Sequence, residues 1–174
     1  MKKFLPFIII CALLLPLGLS ASPIDALKPV GSAKLSVVFW DIYQSTLYSD
    51  DGTFTSDDLT HESQSPLALN IQYLRDIEAE ELVEATADEW DKLGLGKTTY
   101  QPWLKQLTAI WPDIQENDEL LFVLNHTDGG VFYFNQEEIG RIDDRNFGVN
   151  FLRIWLDKKA SYPKLRNKLV GQSK

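Results

Sequence analysis

The sequence contains a single cysteine, Cys11, and that residue lies in an apolar run at the N-terminus. A short basic start precedes the run Phe4–Leu19, which only two prolines and one glycine interrupt, and small residues follow it. This pattern predicts a secretory signal peptide over residues 1–21 and hence a periplasmic or secreted protein. An uncleaved N-terminal anchor is the alternative. Removal of the signal peptide leaves no cysteine, which excludes disulfides, thiolate metal sites and a cysteine nucleophile.

Positive charge is also scarce. The chain has 17 Lys and Arg against 25 Asp and Glu, a net charge of −8. Loss of Lys2 and Lys3 with the signal peptide leaves 15 basic against 25 acidic residues, a net charge of −10. Such a surface repels phosphate backbones and anionic membranes. We therefore expect no nucleic-acid partner and, after processing, no stable membrane span; the sequence does not indicate a protein partner.

Histidine and the common catalytic motifs are missing or isolated. The two histidines, His61 and His126, fall in predicted loops without partners at metal-ligand spacing, so no metal site is expected. The chain has no Gly-x-Ser-x-Gly, phosphate-cradling loop or His-Glu-x-x-His, and no cofactor is predicted. Arg75 and Asp76 follow a predicted strand, and we interpret them as an ion pair at a strand–helix junction. No motif by itself identifies an enzyme.

The most informative stretch is Lys34–Ser49. It is rich in β-branched and aromatic residues and has neither Gly nor Pro, which predicts a long central strand or two strands meeting at a bulge. Val38, Trp40 and Ile42 fall on one face, and Val37, Phe39, Tyr43 and Leu47 on the other. A strand that is apolar on both faces must be covered on both, or covered on one and lining a cavity on the other. The first arrangement indicates a scaffold and the second a ligand site.

The rest of residues 22–174 predicts one α+β domain. Strands are expected at 66–74, 119–124, 131–134 and 139–142, and helices at 77–93, at 99–111, after a cap at Asp143 or Asp144, and from Pro163. Asp76 is the expected cap of the first helix. Strands, two helices, further strands and further helices in this order predict an open-faced antiparallel sheet covered on one face by helices.

Several stretches, in order, resemble the bacterial chalcone isomerase-like family. They are Val30-Gly31-Ser32-Ala33-Lys34-Leu35-Ser36-Val37-Val38-Phe39-Trp40-Asp41-Ile42-Tyr43, Leu47-Tyr48, Tyr73-Leu74-Arg75-Asp76-Ile77, Gly140-Arg141-Ile142-Asp143-Asp144, Ile154-Trp155-Leu156 and Ser161-x-Pro163-x-Leu165-Arg166. The resemblance covers about Val30 to Gly171. It implies an open-faced antiparallel sheet with a ligand cleft between sheet and helices, in agreement with the α+β pattern.

The resemblance implies a fold more strongly than an activity. Plant chalcone isomerases cyclise a chalcone to a flavanone with an arginine, a strand threonine, a helix tyrosine followed by an asparagine, and a late threonine. In this chain the corresponding positions are Lys34, Tyr43, Tyr100, Leu107 and Ile154. Because both the asparagine and the late threonine are replaced by apolar residues, the isomerase constellation is not reproduced.

The fatty-acid-binding members of the family resemble the chain more closely. They hold the lipid carboxylate with an arginine and a tyrosine on the central strand, and here Tyr43 matches while Lys34 supplies a cation without the bidentate fork of arginine. The leading hypothesis is a non-enzymatic carrier of a fatty acid or similar small amphiphile, with Tyr73 and Tyr100 in the cleft wall. The alternatives are a structural or accessory module whose cleft its own side chains fill, and an isomerase or lyase acting on an enone with Tyr100 as proton donor.

Overall fold

The computed structural model describes residues 22–60 and 63–172. The expected signal peptide at residues 1–21, which includes Cys11, lies outside the described residues, and so does His61.

Six strands form one sheet in the order of the sequence, and each neighbouring pair is antiparallel. The strands are β1 (Lys28–Val37), β2 (Trp40–Ser49), β3 (Leu67–Tyr73), β4 (Glu119–Asn125), β5 (Gly129–Phe134) and β6 (Glu137–Ile142). The helices are α1 (Ala79–Lys92), α2 (Lys97–Ile110), α3 (Arg145–Leu156) and α4 (Pro163–Leu169). The prediction of an open-faced antiparallel sheet with helices on one face is confirmed.

Strand alternation gives the sheet an apolar and a polar face. On β3, Leu69, Ile71 and Tyr73 are buried beneath the helices, whereas the intervening Asn70 and Gln72 are only half-buried. Successive side chains of a strand point to opposite faces, so the intervening residues lie on the face that carries no helix. The ligand cleft that the fold allows is therefore on the helix side.

The stretch predicted as a central strand is an edge hairpin, so that prediction was wrong in part. β1 is the edge strand, and a two-residue turn at Val38 and Phe39 connects it to β2. Such turns usually contain Gly, Asn or Asp because one or both residues need a positive φ. Here Val38 itself adopts a φ of 57°, so no local signal marked the turn. We call Val37–Trp40 the hairpin apex.

The half of the sheet formed by β4–β6 is filled by aromatic side chains. Phe122 and Phe132 from the sheet and Phe147 and Phe151 from α3 form a cluster with ring-centroid separations of 4.7–6.0 Å. Gly148 permits this packing, since a Cβ there would lie 2.4 Å from the Gly129 carbonyl oxygen. This half of the helix–sheet interface is a packed core.

The start of α1 differs from the prediction. The helix begins at Ala79, and the Asp76 carboxylate does not cap it but accepts a hydrogen bond from the Glu116 backbone N–H at 2.8 Å. The Ala79 N–H donates instead to Asp113, at 2.9 Å. A capping group supplied from the loop before β4 cannot be recognised from local sequence. The cap of α3 was expected at Asp143 or Asp144, and it is Asp144, whose carboxylate accepts a hydrogen bond from the Asn146 N–H at 2.8 Å.

Candidate ligand-binding cavity

A cavity of about 430 Å³ lies between the helices and strands β1–β3, and it extends to Leu120 on β4. Its floor consists of inner-face residues of these strands, and its roof is formed by α1, α3 and α4. Most of the wall is apolar: Leu35, Ile42, Ile71, Leu82, Trp111, Leu120, Phe151, Ile154 and Leu165. The helix–sheet interface therefore has a filled half over β4–β6 and an open half over β1–β3.

A β-bulge brings two consecutive residues of β2 to the cavity wall. The β1–β2 register pairs Leu35 with Tyr43 and Ser36 with Asp41, so Ile42 is the extra residue. Both Ile42 and Tyr43 line the cavity, although neighbouring residues of a regular strand face opposite sides. The sequence predicts a long strand or two strands meeting at a bulge, with Ile42 and Tyr43 on different faces. The bulge brings both side chains to the cavity side.

Two tyrosines supply hydroxyl groups to the cavity interior. Tyr43 and Tyr73 are direct partners across β2 and β3, with ring centroids 6.2 Å apart in an edge-to-face arrangement. The Tyr43 hydroxyl oxygen accepts a hydrogen bond from Trp155 Nε1 at 2.8 Å, which leaves the Tyr43 O–H free to donate. Within the described part of the chain, the Tyr73 hydroxyl has no hydrogen-bond partner. The cavity thus contains two hydroxyl donors available to a ligand.

Both hydroxyls remain protonated at neutral pH. Burial raises the pKa of Tyr43 well above its usual value, against a smaller opposing effect of the Trp155 hydrogen bond. Burial also raises the pKa of Tyr73, and the neighbouring Tyr43 adds to the effect. Each group therefore acts as a hydrogen-bond donor to a carboxylate or carbonyl oxygen rather than as a base.

Exposed wall residues mark the mouth of the cavity. Val37 from the hairpin apex, Arg75, Glu81, Ala85 and Tyr162 all line the cavity and are exposed to solvent. The mouth therefore lies between the hairpin apex, the entry to α1 and the segment before α4, and it presents one cation and one carboxylate.

Arg75 is the cation at this mouth, and it does not form the ion pair expected with Asp76. Its Nε donates to the Asp76 backbone carbonyl oxygen at 3.3 Å, while the Asp76 carboxylate is bound to the Glu116 N–H. Among the described residues, no carboxylate lies within 4.0 Å of the Arg75 guanidinium. Arg75 is two residues beyond Tyr73, in the bend that follows β3, and both side chains line the cavity. That spacing was the signal that could have identified Arg75 as a site residue.

Lys34 lies on the other face of the sheet. Its neighbours Ala33 and Leu35 are buried on the inner face, whereas the Lys34 side chain is 48% exposed and forms an ion pair with Asp41. The Lys34 ammonium and the Ser36 hydroxyl lower the pKa of the Asp41 carboxyl by hydrogen bonding to it. Lys34 is not among the residues that line the cavity, so the structure does not bring it together with Tyr43.

Tyr100 also lies away from the cavity. It is buried on α2 against Trp90, with ring centroids 5.5 Å apart, and its hydroxyl donates to Asp91 at 2.7 Å. That hydrogen bond is the main cause that raises the pKa of Tyr100 to about 12. Of the four residues that the sequence analysis assigned to a site, the structure brings only Tyr43 and Tyr73 to the cavity wall.

The described residues include no cluster of three or more His, Cys, Asp or Glu side chains arranged to hold a metal ion. In the same part of the chain, no helix combines the length and the apolar character needed to cross a bilayer. The side chains of the cavity wall that carry a charge or a hydroxyl group are Tyr43, Tyr73, Tyr162, Arg75, Glu81, Glu89 and Thr86.

An antiparallel open-faced sheet, helices on one face and a cavity between the two layers define an α+β sandwich with an internal site. The chain belongs to the chalcone isomerase-like family, whose model matches residues 26–171. It is 30% identical over 155 residues to an uncharacterized protein from Haemophilus influenzae, covering 89% of this chain and 73% of the relative. Its fold is similar to that of a fatty-acid binding protein from Arabidopsis thaliana, with a TM-score of 0.66 at 14% identity, over 87% of this chain and 90% of the other.

Proposed function

We propose that this protein is an exported, non-catalytic binding protein that holds a fatty acid or a similar small amphiphile in its cavity. The observation that carries the proposal is a largely apolar cavity that contains the Tyr43 and Tyr73 hydroxyls and has Arg75 at its mouth. Export rests on the signal-peptide pattern of residues 1–21. The open volume above β1–β3 argues against the alternative in which the chain's own side chains fill the cleft.

The apolar part of the cavity suits a hydrocarbon tail. A volume of about 430 Å³ falls in the range of roughly 300–1,000 Å³ typical of small-molecule sites. Leu120 and Phe151 line the part of the cavity next to the aromatic core. An acyl chain buried there would gain roughly 0.8 kcal/mol for each buried methylene.

The polar end suits a head group with oxygen atoms. Tyr43 and Tyr73 form the last residue pair of the β2–β3 register, and Arg75 follows immediately at the mouth. Two phenol donors and a guanidinium can bind both oxygens of a carboxylate. Glu81 at the same mouth opposes an anionic head group by like-charge repulsion. The head group's charge is therefore the property that experiments on Arg75 and Glu81 can determine.

The first test uses Tyr73→Phe. Because the Tyr73 hydroxyl has no protein partner among the described residues, its removal should leave the free energy of unfolding within about 0.5 kcal/mol of wild type. Loss of one hydrogen bond to the ligand should weaken palmitate binding about 3- to 10-fold, measured by isothermal titration calorimetry. Tyr43→Phe is the matched comparison: it also removes the acceptor of Trp155 Nε1, so it should lower stability as well as affinity. Unchanged palmitate affinity in both variants would exclude the tyrosine pair as the head-group site.

The second test determines how much the charges at the cavity mouth contribute to ligand affinity. Arg75→Gln should weaken palmitate binding about 3- to 10-fold because it removes a charge-assisted contact, and Glu81→Gln should strengthen it by a smaller factor. Neither change should alter binding of hexadecanol, which has the same tail and no charge. Lys34→Gln is the control on the opposite face of the sheet and should leave both affinities unchanged. A loss of palmitate affinity in Lys34→Gln equal to that in Arg75→Gln would contradict this arrangement of the site.

A further inference from the structure

The hairpin apex carries the most exposed large apolar side chains of the described chain. Val38, Phe39 and Trp40 are 81%, 94% and 70% exposed. Within residues 22–60 and 63–172, no aromatic contact or side-chain hydrogen bond holds the Phe39 or the Trp40 ring in place. Scattered single apolar residues are ordinary on protein surfaces, but three consecutive ones at the end of a hairpin form a contiguous patch. Such a patch indicates a surface that is covered when the protein functions.

The geometry of the hairpin turn does not explain why apolar residues occupy it. Val38 adopts a φ of 57°, in the left-handed region that β-branched residues rarely enter. Glycine or asparagine would form the same turn without that strain. A turn that is both strained and apolar points to a contact outside the folded domain.

The apex projects beyond the rest of the sheet. The β2–β3 register ends at Tyr43 and Tyr73, while β1 and β2 continue to pair up to Val37 and Trp40. Beyond the Leu35–Tyr43 pair, two residues of β1 and three of β2 extend the hairpin by roughly 7–10 Å. Interfacial segments reach a similar depth, roughly 5–10 Å, at the boundary between lipid head groups and acyl chains. A projecting tip with a tryptophan suits insertion into that layer, where tryptophan is enriched.

The charges near the apex indicate which membrane surface it suits. Residues 37–40 carry no charge, and below them Lys34 and Asp41 neutralise each other. The whole chain has a net charge of −8, which opposes approach to an anionic surface. A zwitterionic lipid surface therefore complements the apex better than an anionic one.

The apolar surface of the apex continues into the cavity. Val37 is 41% exposed and Tyr162 is 42% exposed, and both also line the cavity. We propose that the hairpin apex inserts into the interfacial layer of a zwitterionic lipid bilayer and holds the cavity mouth against it. An amphiphile then passes between bilayer and cavity without crossing open water. Passage of the amphiphile rests on the proposed function, whereas insertion of the apex does not.

Insertion is tested by co-sedimentation with phosphatidylcholine vesicles. The double variant Phe39→Ser/Trp40→Ser should bind vesicles at least about tenfold more weakly than wild type, because two large apolar side chains are lost from the contact. The conservative variant Trp40→Phe should still sediment with the vesicles. Both chains are used in the processed form, residues 22–174, so that residues 1–21 make no contact with the vesicles. Equal sedimentation of wild type and the double variant then overturns the proposal.

Tryptophan fluorescence reports the depth of insertion. Of the five tryptophans, Trp90, Trp103 and Trp111 are buried and Trp155 is half-buried, so Trp40 is the one that the lipid can reach most directly. Phosphatidylcholine brominated near the head group should quench part of the wild-type emission, and Trp40→Phe should remove that part. Quenching that persists undiminished in Trp40→Phe overturns insertion of the apex.

Palmitate binding without vesicles separates this proposal from the proposed function. The double variant should bind palmitate in solution as wild type does, since neither Phe39 nor Trp40 lines the cavity. A wild-type protein that binds vesicles through its apex but binds no palmitate supports insertion and contradicts the proposed function. A protein that binds palmitate but not vesicles contradicts insertion alone. If the wild-type protein dimerises without binding vesicles, and the double variant is monomeric, the apex contacts a second copy of the chain. That result overturns the lipid contact.

Discussion

Trp90→Ala is expected to destabilise the protein by about 3–5 kcal/mol. Trp90 is completely buried on α1, its ring contacts Trp103, Tyr100 and Phe147 at centroid separations of 5.5–6.3 Å, and its Nε1 donates to the Asn150 carbonyl oxygen at 2.9 Å. It therefore connects α1 to both α2 and α3. Removal of the ring leaves a void that these neighbours cannot close. Urea denaturation followed by circular dichroism measures the change in the free energy of unfolding.

Trp90→Phe is the matched control, because it keeps an aromatic ring in the cluster and removes the indole N–H. It should cost roughly 1–2 kcal/mol, less than the alanine variant. Trp90→Ala should also disturb the cavity, since α1 supplies Leu82 and Thr86 to the cavity roof. Palmitate affinity should therefore fall in Trp90→Ala even under conditions in which the protein remains folded. A loss of less than about 1 kcal/mol in Trp90→Ala would mean that other contacts hold α1 in place.

Most secondary-structure elements were predictable because local physics defines their ends. Asp144 caps α3, Gly94 at a φ of 81° follows α1, and Pro163 opens α4. The hairpin apex was not predictable, because Val38 and Phe39 occupy turn positions that normally require Gly, Asn or Asp. A residue chosen for a contact outside the domain overrides the local preference that sequence analysis relies on.

The candidate site was predictable only in part, because the face of the sheet on which a side chain lies depends on the strand register. Tyr43 and Tyr73 reach the cavity, and the alternation of β3 already placed Tyr73 on the apolar face. Lys34 carries a suitable charge but lies opposite Gln44 on the polar face, which only the β1–β2 register reveals. Arg75 was interpreted as a partner of Asp76, whose carboxylate is in fact used by the Glu116 N–H. A contact between residues forty positions apart has no local sequence signal.

The second prediction with a large expected effect concerns a substitution that fills the cavity. Ile71→Trp should abolish or weaken binding of both palmitate and hexadecanol at least about tenfold, because the indole would occupy space that the tail needs. Ile71 is 4% exposed on the cavity floor, with Leu120 opposite it on β4. Since the void receives the larger side chain, the free energy of unfolding should change by less than about 1 kcal/mol. Calorimetric titration and urea denaturation measure the two quantities.

Ile142→Trp is the same substitution in the filled half of the interface. Ile142 is completely buried on β6 and does not line the cavity, so the added volume has no space and should cost about 1–3 kcal/mol or more. The palmitate affinity of the folded Ile142→Trp protein should stay close to wild type, the reverse of the Ile71→Trp pattern. Equal destabilisation by the two variants, with no selective loss of binding in Ile71→Trp, would mean that the helix–sheet interface is packed throughout in solution. Opposite patterns in the two variants would establish that the β1–β3 half is held open by the fold and that the ligand's tail occupies it.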